Sequence, residues 1–285
     1  MPTFQELAHL FPPAQTRVIL YSAANGPTGC VKDRVARAMF DAAENLGLLT
    51  AKTQIVEPTS GAAGVALASE AAKRGLKLTI VAPESINEKT LALLNKFGAD
   101  VELTPENLGM TGAANAAQKL CADASDSWSP NLFENPANPA AHETTTAYDI
   151  WNYSHGKIDA FVCAVGSGGS FMGVARFLKR KNEQIQRIAV EPQESPVLSG
   201  GKPGKHGILG IGAGFVSKIF DVSIPTGIVT VSTEEAQEWS TRLAQTEGVL
   251  AGVSTGANLA AISKLAELPD FHGKTIATIA FDRGE

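Results

Sequence analysis

The chain has 285 residues, of which 44% are hydrophobic and 19% are charged, with 27 glycines. A chain of this length buries about three quarters of the surface that its unfolded form exposes, so its stability requires neither disulfides nor a structural metal. Its 24 basic and 29 acidic residues give a net charge of −5. No basic stripe with interleaved aromatic residues occurs, which argues against a nucleic-acid partner.

The sequence also bears on compartment and metal binding. No apolar stretch approaches the ~20 residues that span a bilayer, and the segment around Glu6 lacks a signal-peptide pattern. Three scattered cysteines (Cys30, Cys121 and Cys163) lack CxxC spacing, which favours a reducing compartment over structural zinc. We therefore predict a cytoplasmic protein with no membrane, metal or nucleic-acid partner.

Short β-type runs alternate with alanine-rich helical stretches along the whole chain. The runs predict strands over 17–21, 54–57, 77–82, 100–103, 159–165, 187–191, 227–231 and 274–281. The stretches between them predict helices over 33–46, 62–74, 87–97, 112–124, 140–153, 170–181, 233–246 and 256–267. This alternation is typical of an α/β protein in which helices cover mainly parallel sheets. The stretch 131–139, with two Asn-Pro steps, is the predicted passage between two lobes.

One glycine-rich turn lies between a predicted strand and a predicted helix. It consists of Gly166, Ser167, Gly168, Gly169 and Ser170. Consecutive glycines let backbone N–H groups turn inward, and a helix N-terminus adds positive potential, so phosphate is the natural guest. The pattern is neither the P-loop nor the GxGxxG fingerprint. Taken alone, such a turn is as often structural as ligand-binding.

A second turn of small residues, Thr59, Ser60 and Gly61, precedes the predicted helix that begins at Ala62. Its hydroxyls and the N–H groups that follow could hold a carboxylate. Two such turns suggest a pair of ligands, one phosphorylated and one carboxylated. A purely structural role for both turns is the alternative.

Lys32 opens a predicted helix, where the helix dipole disfavours a cation. For an arbitrary lysine, a surface position beside Asp33 is the simpler interpretation. The sharper interpretation is a lysine that forms a Schiff base with a carbonyl group.

Gly252, Ser254 and Gly256 match the G-x-S-x-G nucleophile elbow of hydrolases. A catalytic triad would then require Asp270 and His272, which are the acid and histidine available after the serine. No HGGG-type oxyanion motif accompanies them. A hydrolase is therefore a minor alternative.

Together, these segments resemble the cysteine synthase (O-acetylserine sulfhydrylase) family of pyridoxal-phosphate (PLP) enzymes, to which cystathionine β-synthase is closely related. The resemblance covers about residues 25–256, with the motifs in the family's order. The matching segments are Pro-Thr-Gly-Cys-Val-Lys-Asp-Arg at 27–34, Glu-Pro-Thr-Ser-Gly at 57–61, Asn-Pro-Ala-Asn-Pro at 135–139, Val-Glu-Pro at 190–192, Ser-Pro-Val at 195–197, Gly-Ile-Gly-Ala-Gly-Phe at 210–215 and Glu-Gly-Val-Leu-Ala-Gly at 247–252.

The resemblance implies the fold of type II PLP enzymes, similar to the tryptophan synthase β subunit. Two α/β lobes would hold the cofactor in the cleft between them. The smaller, mobile lobe would comprise residues 36–138 and close over the substrate. The larger lobe, residues 1–35 with 139–285, would anchor the cofactor.

The resemblance also implies a role for each turn. Lys32 would hold PLP as a Schiff base and then move the α-proton of the substrate. The turn from Gly166 to Ser170 would bind the cofactor phosphate, and Ser254 would bond the pyridine nitrogen. A neutral hydroxyl leaves that nitrogen largely unprotonated, which favours β-elimination over a long-lived carbanion. The implied substrate contacts are Thr59, Ser60, Gly61, Ala62, Ala63 and Gly212.

The implied reaction is β-replacement. O-acetylserine would lose acetate to give an aminoacrylate intermediate, and sulfide would add to give cysteine. Family members are commonly homodimers, and some dock the C-terminal peptide of an acyltransferase in the active site. That peptide would bind here at residues 59–64.

Two positions depart from the family pattern. Ala62 replaces an asparagine, and Leu132 replaces a glutamine that helps to hold the substrate carboxylate. Residues 281–285 also differ from the family's S-S-G-E-R-Y segment. These departures motivate two alternatives. One is a β-elimination lyase or cystathionine β-synthase-like enzyme for another β-substituted amino acid, and the other is a PLP-binding, catalytically weak regulatory homologue.

Overall fold

The computed structural model describes residues 3–12 and 15–284. In chain order its strands are β1 (Thr3–Glu6), β2 (Thr16–Ser22), β3 (Gln54–Pro58), β4 (Leu78–Pro83), β5 (Asp100–Thr104), β6 (Ser127–Trp128), β7 (Ala160–Ala164), β8 (Gln186–Pro192), β9 (Gly227–Val231) and β10 (Lys274–Ala280). The α-helices are α1 (Lys32–Asn45), α2 (Ala62–Arg74), α3 (Glu88–Lys96), α4 (Gly109–Asp123), α5 (Ala137–Ala141), α6 (Ala147–Tyr153), α7 (Gly169–Lys181), α8 (Thr233–Glu247) and α9 (Val253–Ala266). A π-helical turn, His142–Thr146, joins α5 to α6.

The described chain divides into two compact units. The smaller unit is Gly26–Ala137, and the larger consists of the chain up to Asn25 together with the chain from Asn138 onward. The smaller unit therefore begins at Gly26, where the sequence placed the boundary at residue 36.

The smaller unit is built on a four-stranded sheet with the order β5-β4-β3-β6, in which all neighbouring strands are parallel. On one face, Phe40 of α1 and Leu67 of α2 pack with Ile55 of β3 in a buried core. On the other face, Ala113 of α4 packs against Val81 of β4. The unit starts ahead of residue 36 because α1 belongs to this core from its first turns onward.

The larger unit is built on a six-stranded sheet with the order β1-β2-β10-β7-β8-β9. Strand β1 is antiparallel to β2, and the other neighbours are parallel. All five residues of β7 are buried, as expected of a strand covered on both faces. Leu243 of α8 and Ile262 of α9 join the core on one face, while Phe171 of α7 stacks on Phe161 of β7.

The predicted α/β class is confirmed, and all eight predicted strands and eight predicted helices are present, with ends shifted by at most three residues. Two short strands escaped prediction. Strand β1 has one apolar residue, Phe4, and depends on its pairing with β2, while β6 has only two residues. The predicted helix 140–153 is interrupted by the π-helical turn.

No helix within residues 3–12 and 15–284 is both long and apolar enough to cross a membrane. In the same part of the chain, no group of three or more His, Cys, Asp or Glu side chains is arranged to hold a metal ion.

Helices α8 and α9 pack closely together at Gly256. A Cβ atom at this position would lie 1.9 Å from the carbonyl oxygen of Ala236. We expect Gly256→Ala to lower the free energy of unfolding by about 1–3 kcal/mol, because the helices must separate to admit the methyl group. Helix propensity alone would change stability by about 1 kcal/mol in the opposite direction. Urea unfolding followed by circular dichroism measures the change, with Ser263→Ala on α9 as control; an unchanged midpoint would contradict this packing.

Candidate active site

The glycine-rich turn that begins at Gly166 lies at the carboxyl end of β7 and leads directly into α7. Gly168 is the N-cap of that helix and has φ +91°, a left-handed conformation that suits glycine. A Cβ at Gly166 would lie 2.3 Å from the carbonyl oxygen of Gly210, and a Cβ at Gly169 would lie 1.8 Å from Asn138 Oδ1. The first turn of α7 has no acidic residue, so its N–H groups are available to an anion.

Both serines of this turn are buried and held by residues outside it. Asn138 Nδ2 donates to Ser167 Oγ at 3.0 Å, and Ser217 Oγ donates to the carbonyl of Ser167 at 2.6 Å. His142 Nε2 lies 3.1 Å from Ser170 Oγ. Sequence reasoning included Asn138 only as part of the 135–139 motif and did not single out Ser217 or His142. These contacts hold the turn in place as a cradle.

Ser254 lies in the first turn of α9 and is buried. Its hydroxyl has no hydrogen-bond partner among the described residues. The helix end is held by Asn258, which accepts from Ala164 N–H at 2.6 Å and donates to the carbonyl of Ile279 at 3.0 Å. Ala164 ends β7 two residues before Gly166, so Ser254 and the cradle belong to the same edge of the sheet.

The tail of the described chain supports the same helix end. Asp282 Oδ1 accepts from Gly252 N–H at 2.6 Å and from Gly284 N–H at 3.0 Å. A Cβ at Gly252 would lie 2.7 Å from both carboxylate oxygens. Although the sequence here differs from the family segment, it fixes the start of α9 through Asp282.

The hydrolase interpretation is wrong. Asp270 and His272 follow the carboxyl end of α9, whereas Ser254 lies at its beginning. A helix of 14 residues separates its ends by about 20 Å. Both partners are also exposed, so no triad can form with the buried serine.

Gly212 lies beside the cradle. Its N–H donates to the carbonyl of Val165 at 2.9 Å, and its φ is +61°. Its carbonyl lies 3.0 Å from His206 Nε2. Because His206 Nδ1 accepts from Ile208 N–H, the Nε2 atom carries the proton and donates. This predicted substrate contact is therefore held against the end of β7 by a histidine.

In the smaller unit, Thr59, Ser60 and Gly61 join β3 to α2. Gly61 is the N-cap of α2 and provides no side-chain cap, and the first turn of the helix has no acidic residue. Thr59 Oγ1 accepts from Gly61 N–H at 3.4 Å, and Thr59 N–H donates to the carbonyl of Val81 at 3.0 Å. The uncapped N–H groups at this helix end suit a carboxylate.

Glu57, the residue before Pro58 of β3, is 3% exposed. Its Oε2 accepts from Ser129 Oγ at 3.1 Å and Asn131 N–H at 2.8 Å, and its Oε1 accepts from Leu132 N–H at 3.1 Å. Burial raises the pKa of the Glu57 carboxyl above its ordinary value of 4.5, against the opposing effect of these donors. Sequence reasoning included Glu57 only as part of a motif. The hydrogen bonds of Glu57 hold the 129–132 loop beside the start of the 59–61 turn.

Lys32 is the first residue of α1 and is half-buried. The loop before it is held by Asp33, whose carboxylate accepts from Thr28 N–H at 3.1 Å and Thr28 Oγ1 at 2.8 Å. Burial raises the pKa of the Cys30 thiol, which suits a small loop residue rather than a nucleophile. Asp33 thus fixes the backbone from which the Lys32 side chain extends.

The two positions that depart from the family pattern have different surroundings. Leu132 is 7% exposed and packs in the core of the smaller unit, and its N–H is taken by Glu57. Ala62 is exposed at the start of α2. Leu132 is therefore part of the packing, whereas Ala62 leaves the helix end open.

These features coincide with close matches to known proteins. The model of the family described as "Pyridoxal-phosphate dependent enzyme" matches residues 6–282. The chain belongs to that family. It is 43% identical to a cysteine synthase of Staphylococcus aureus over 261 residues, which cover 91% of this chain and 83% of the relative.

Two solved structures are similar to this chain in fold as well as in sequence. A cysteine synthase of Entamoeba histolytica superposes with a TM-score of 0.95 and 35% identity, covering 99% of this chain and 85% of that one. An O-acetylserine dependent cystathionine β-synthase of Helicobacter pylori superposes with a TM-score of 0.91 and 36% identity, covering 100% and 92%. Membership of the PLP family and its fold are therefore established for this chain.

The larger unit fits the PLP phosphate. The cradle has glycines where no Cβ can be accommodated, two buried serines, and a helix N-terminus without acidic residues. A compact anion is the guest that such a cradle favours. The cofactor of the family therefore matches the chemistry of the residues present.

We expect Glu57→Gln to lower the free energy of unfolding by about 1–3 kcal/mol. Glutamine offers one acceptor oxygen, so its NH₂ group would face a donor, either Leu132 N–H or Asn131 N–H. Denaturant unfolding of Glu57→Gln and of Glu102→Gln, an exposed glutamate on β5, measures the difference. We expect the control to stay within about 0.5 kcal/mol of wild type.

The same pair of variants tests the raised pKa of Glu57. The folded chain retains the proton at a pH where the unfolded chain has released it, so the free energy of unfolding falls as the pH rises from ~4.5 through the folded-state pKa. That decline should be absent from Glu57→Gln and present in Glu102→Gln. Identical pH profiles for all three proteins would show that Glu57 is not the group responsible.

Proposed function

We propose that the protein catalyses PLP-dependent β-replacement of the cysteine synthase type, converting O-acetylserine and hydrogen sulfide into cysteine and acetate. The observation that carries the proposal is the cradle of Gly166, Ser167, Gly168, Gly169 and Ser170 at the same sheet edge as the hydroxyl of Ser254. Both relatives named cysteine synthase support it, since each matches most of the chain.

The C–O bond at the β-carbon of O-acetylserine breaks and acetate leaves with the electron pair. The sulfur of hydrogen sulfide then forms a bond to the same carbon. The α-carbon loses one proton and later regains one, and hydrogen sulfide gives up one proton overall.

The cofactor requires two kinds of support from the chain. When bound, PLP supplies an electron sink that stabilises negative charge at the α-carbon. In our proposal, the cradle residues would hold its phosphate, and Lys32 would hold its carbonyl carbon and move the α-proton of the substrate. Ser254 meets the ring nitrogen with a neutral hydroxyl, a partner that does not favour protonation.

Substrate binding would fall to the smaller unit and to Gly212. In our proposal, Thr59 and Ser60 donate hydroxyls to the amino-acid carboxylate, and Gly61, Ala62 and Ala63 supply N–H groups. The absence of a side-chain cap and of acidic residues at the start of α2 supports this assignment. Leu132 contributes nothing polar, because its side chain is buried in the core.

We propose further that the protein is a cytoplasmic homodimer. Its cysteines are all free thiols, which suits a reducing compartment. The C-terminal peptide of an acyltransferase is our candidate partner, since its terminal carboxylate would use the same N–H groups of α2 as the substrate does. Sedimentation velocity and peptide titration would test the two assignments separately.

Ala62 supports one second candidate, a lyase or cystathionine β-synthase-like activity on another β-substituted amino acid. The exposed methyl group leaves space at the start of α2 that a longer polar side chain would occupy. The similarity to an O-acetylserine dependent cystathionine β-synthase is consistent with this candidate.

We expect purified protein to bind PLP with a visible absorption band that Lys32→Ala lacks, because only the lysine can bond the cofactor carbon covalently. The control Lys52→Ala, an exposed lysine of the same unit, should keep the band. O-acetylserine should shift the wild-type band, and sulfide should restore it with release of cysteine. If no amino acid perturbs the band, the catalytic proposal fails and the weak regulatory homologue is favoured.

Titration with O-acetylserine, serine, O-phosphoserine and cysteine separates the two candidate activities. We expect O-acetylserine to act at the lowest concentration in wild type. In Ala62→Asn we expect the cofactor band to be retained and the half-saturating O-acetylserine concentration to fall roughly three- to tenfold, the effect of one added hydrogen bond. A wild-type preference for another of these amino acids would replace cysteine synthesis by the second candidate.

A further inference from the structure

Two central strands of the six-stranded sheet, β7 and β10, diverge toward their carboxyl ends. Their pairing with each other ends at Ala277 opposite Phe161. On its other side, each strand stays paired to its last residue, β7 with β8 through Ala164 and β10 with β2 through Ala280. A crevice therefore separates the carboxyl ends of β7 and β10.

This crevice lies where the strand order reverses. From β7 the chain proceeds outward through β8 to β9, and it then returns through α8 and α9 to β10 on the opposite side of β7. In open α/β sheets, ligands bind outside the carboxyl ends of the strands at such a reversal. The cradle begins at Gly166, two residues after Ala164 at the end of β7. The separation of the two strands therefore bears directly on the candidate cofactor site.

The side-chain amide of Asn258, a residue of α9, bridges the two diverging strands. This asparagine is 0% exposed. Its Oδ1 accepts from Ala164 N–H at 2.6 Å, and its Nδ2 donates to the carbonyl of Ile279 at 3.0 Å. Both backbone groups lie beyond the last paired residues of β7 and β10, so the amide takes the place of a partner in the sheet. An apolar side chain here would leave both groups buried without these bonds, which is costly.

A second buried side chain, that of Thr278 on β10, also joins the diverging strands. It directly follows the last paired residue of β10, and its Oγ1 donates to the carbonyl of Val162 on β7 at 2.8 Å. This bond links strand to strand, whereas the amide of Asn258 links both strands to α9. The two side chains therefore allow the stability of the strand pair to be separated from the placement of the helix.

Asn258 also ties the candidate cofactor contact Ser254 to the cradle strand. The two residues are four apart on α9, so they lie on the same side of the helix, one turn from each other. The start of the helix is bonded to the β10 side through Phe281 N–H, which donates to Thr255 Oγ1 at 3.3 Å. The bond from Ala164 N–H to Asn258 connects the next turn of the helix to β7. The position of Ser254 relative to the cradle thus depends on Asn258.

We propose that Asn258 is a positioning residue, whose amide sets the separation of β7 and β10 and with it the distance from the Ser254 hydroxyl to the phosphate cradle. This assignment rests on the proposed function, in which these two sites contact the same cofactor. The phosphate group and the ring nitrogen of PLP belong to one molecule with few flexible bonds. Both sites can therefore bind it at once only if the chain holds them at a matching distance.

Binding of deoxypyridoxine phosphate tests the proposal, because this PLP analogue keeps the phosphate and the ring nitrogen but has a methyl group in place of the aldehyde that Lys32 would bond. The full chain, freed of PLP, is titrated calorimetrically. We expect Ser254→Ala and Asn258→Ala each to raise the Kd roughly three- to tenfold, the effect of one lost hydrogen bond. In the double variant we expect a Kd within about twofold of Ser254→Ala alone, because the hydroxyl that Asn258 positions is already missing.

Thr278→Val is the matched control, since it removes another buried hydrogen bond between the same two strands. Denaturant unfolding should show a lower midpoint for both Asn258→Ala and Thr278→Val. In contrast, the Kd of Thr278→Val for the analogue should stay within about twofold of wild type. Asn258→Asp keeps an acceptor for Ala164 N–H, so it should bind the analogue more tightly than Asn258→Ala. It replaces Asn258→Ala in the double variant if the alanine variant does not fold.

Three results overturn the proposal. An unchanged Kd in Asn258→Ala would show that the amide does not affect the site. Losses that multiply in the double variant would show that Asn258 acts independently of Ser254. An equal loss in Thr278→Val would show that the affinity follows the stability of the strand pair. Failure of the proposed function gives a different result, in which the analogue binds as expected but the PLP-loaded protein does not respond to O-acetylserine.

Discussion

In each unit, a buried glutamate near the end of a central strand holds a neighbouring loop through hydrogen bonds. Glu57 is the second-to-last residue of β3 and Glu191 is the second-to-last residue of β8, each as the middle residue of a Val-Glu-Pro segment. Each carboxylate accepts from two backbone N–H groups and one serine hydroxyl. Loops cannot bury their own polar groups without such partners. The 129–132 and 197–199 loops therefore depend on these two carboxylates.

Glycines around the cradle allow neighbouring segments of the chain to approach closely. Gly166 and Gly169 stand where a Cβ would collide with the backbone of Gly210 and the side chain of Asn138. A Cβ at Gly173 would lie 2.3 Å from the carbonyl oxygen of Pro139, so α7 lies directly against the segment that carries His142. This contact allows Asn138 and His142 to reach Ser167 and Ser170. Close backbone approach thus converts a flexible glycine-rich sequence into a rigid anion cradle.

The periodic part of the structure could be predicted from the sequence, because buried parallel strands form uninterrupted apolar runs and their helices are rich in alanine. The contacts that complete the site could not be predicted from the sequence. Glu57 and Leu132 are 75 residues apart. No local sequence pattern indicates that the carboxylate of Glu57 will accept a hydrogen bond from the N–H of Leu132. Leu132 appeared as a missing polar contact, yet its burial makes it a core residue. His142 belongs to no recognisable motif, and only the π-helical turn brings its Nε2 atom to within 3.1 Å of Ser170 Oγ. The available signal was the repeated Val-Glu-Pro segment, whose buried glutamates require donors from elsewhere in the chain.

Side-chain caps are absent from α4 and from the three helices that begin at the candidate binding segments. Asn87 caps α3, and Ser232 forms a capping box with Glu235 on α8. In contrast, α2, α7 and α9 begin at glycines, with neither a side-chain cap nor an acidic residue in the first turn. Leaving a helix uncapped costs about 1 kcal/mol, which a bound anion or polar ligand offsets. Under the proposed function, the positive end of α9 would disfavour a proton on the ring nitrogen that Ser254 is assigned to bond. The neutral nitrogen that results would suit elimination at the β-carbon.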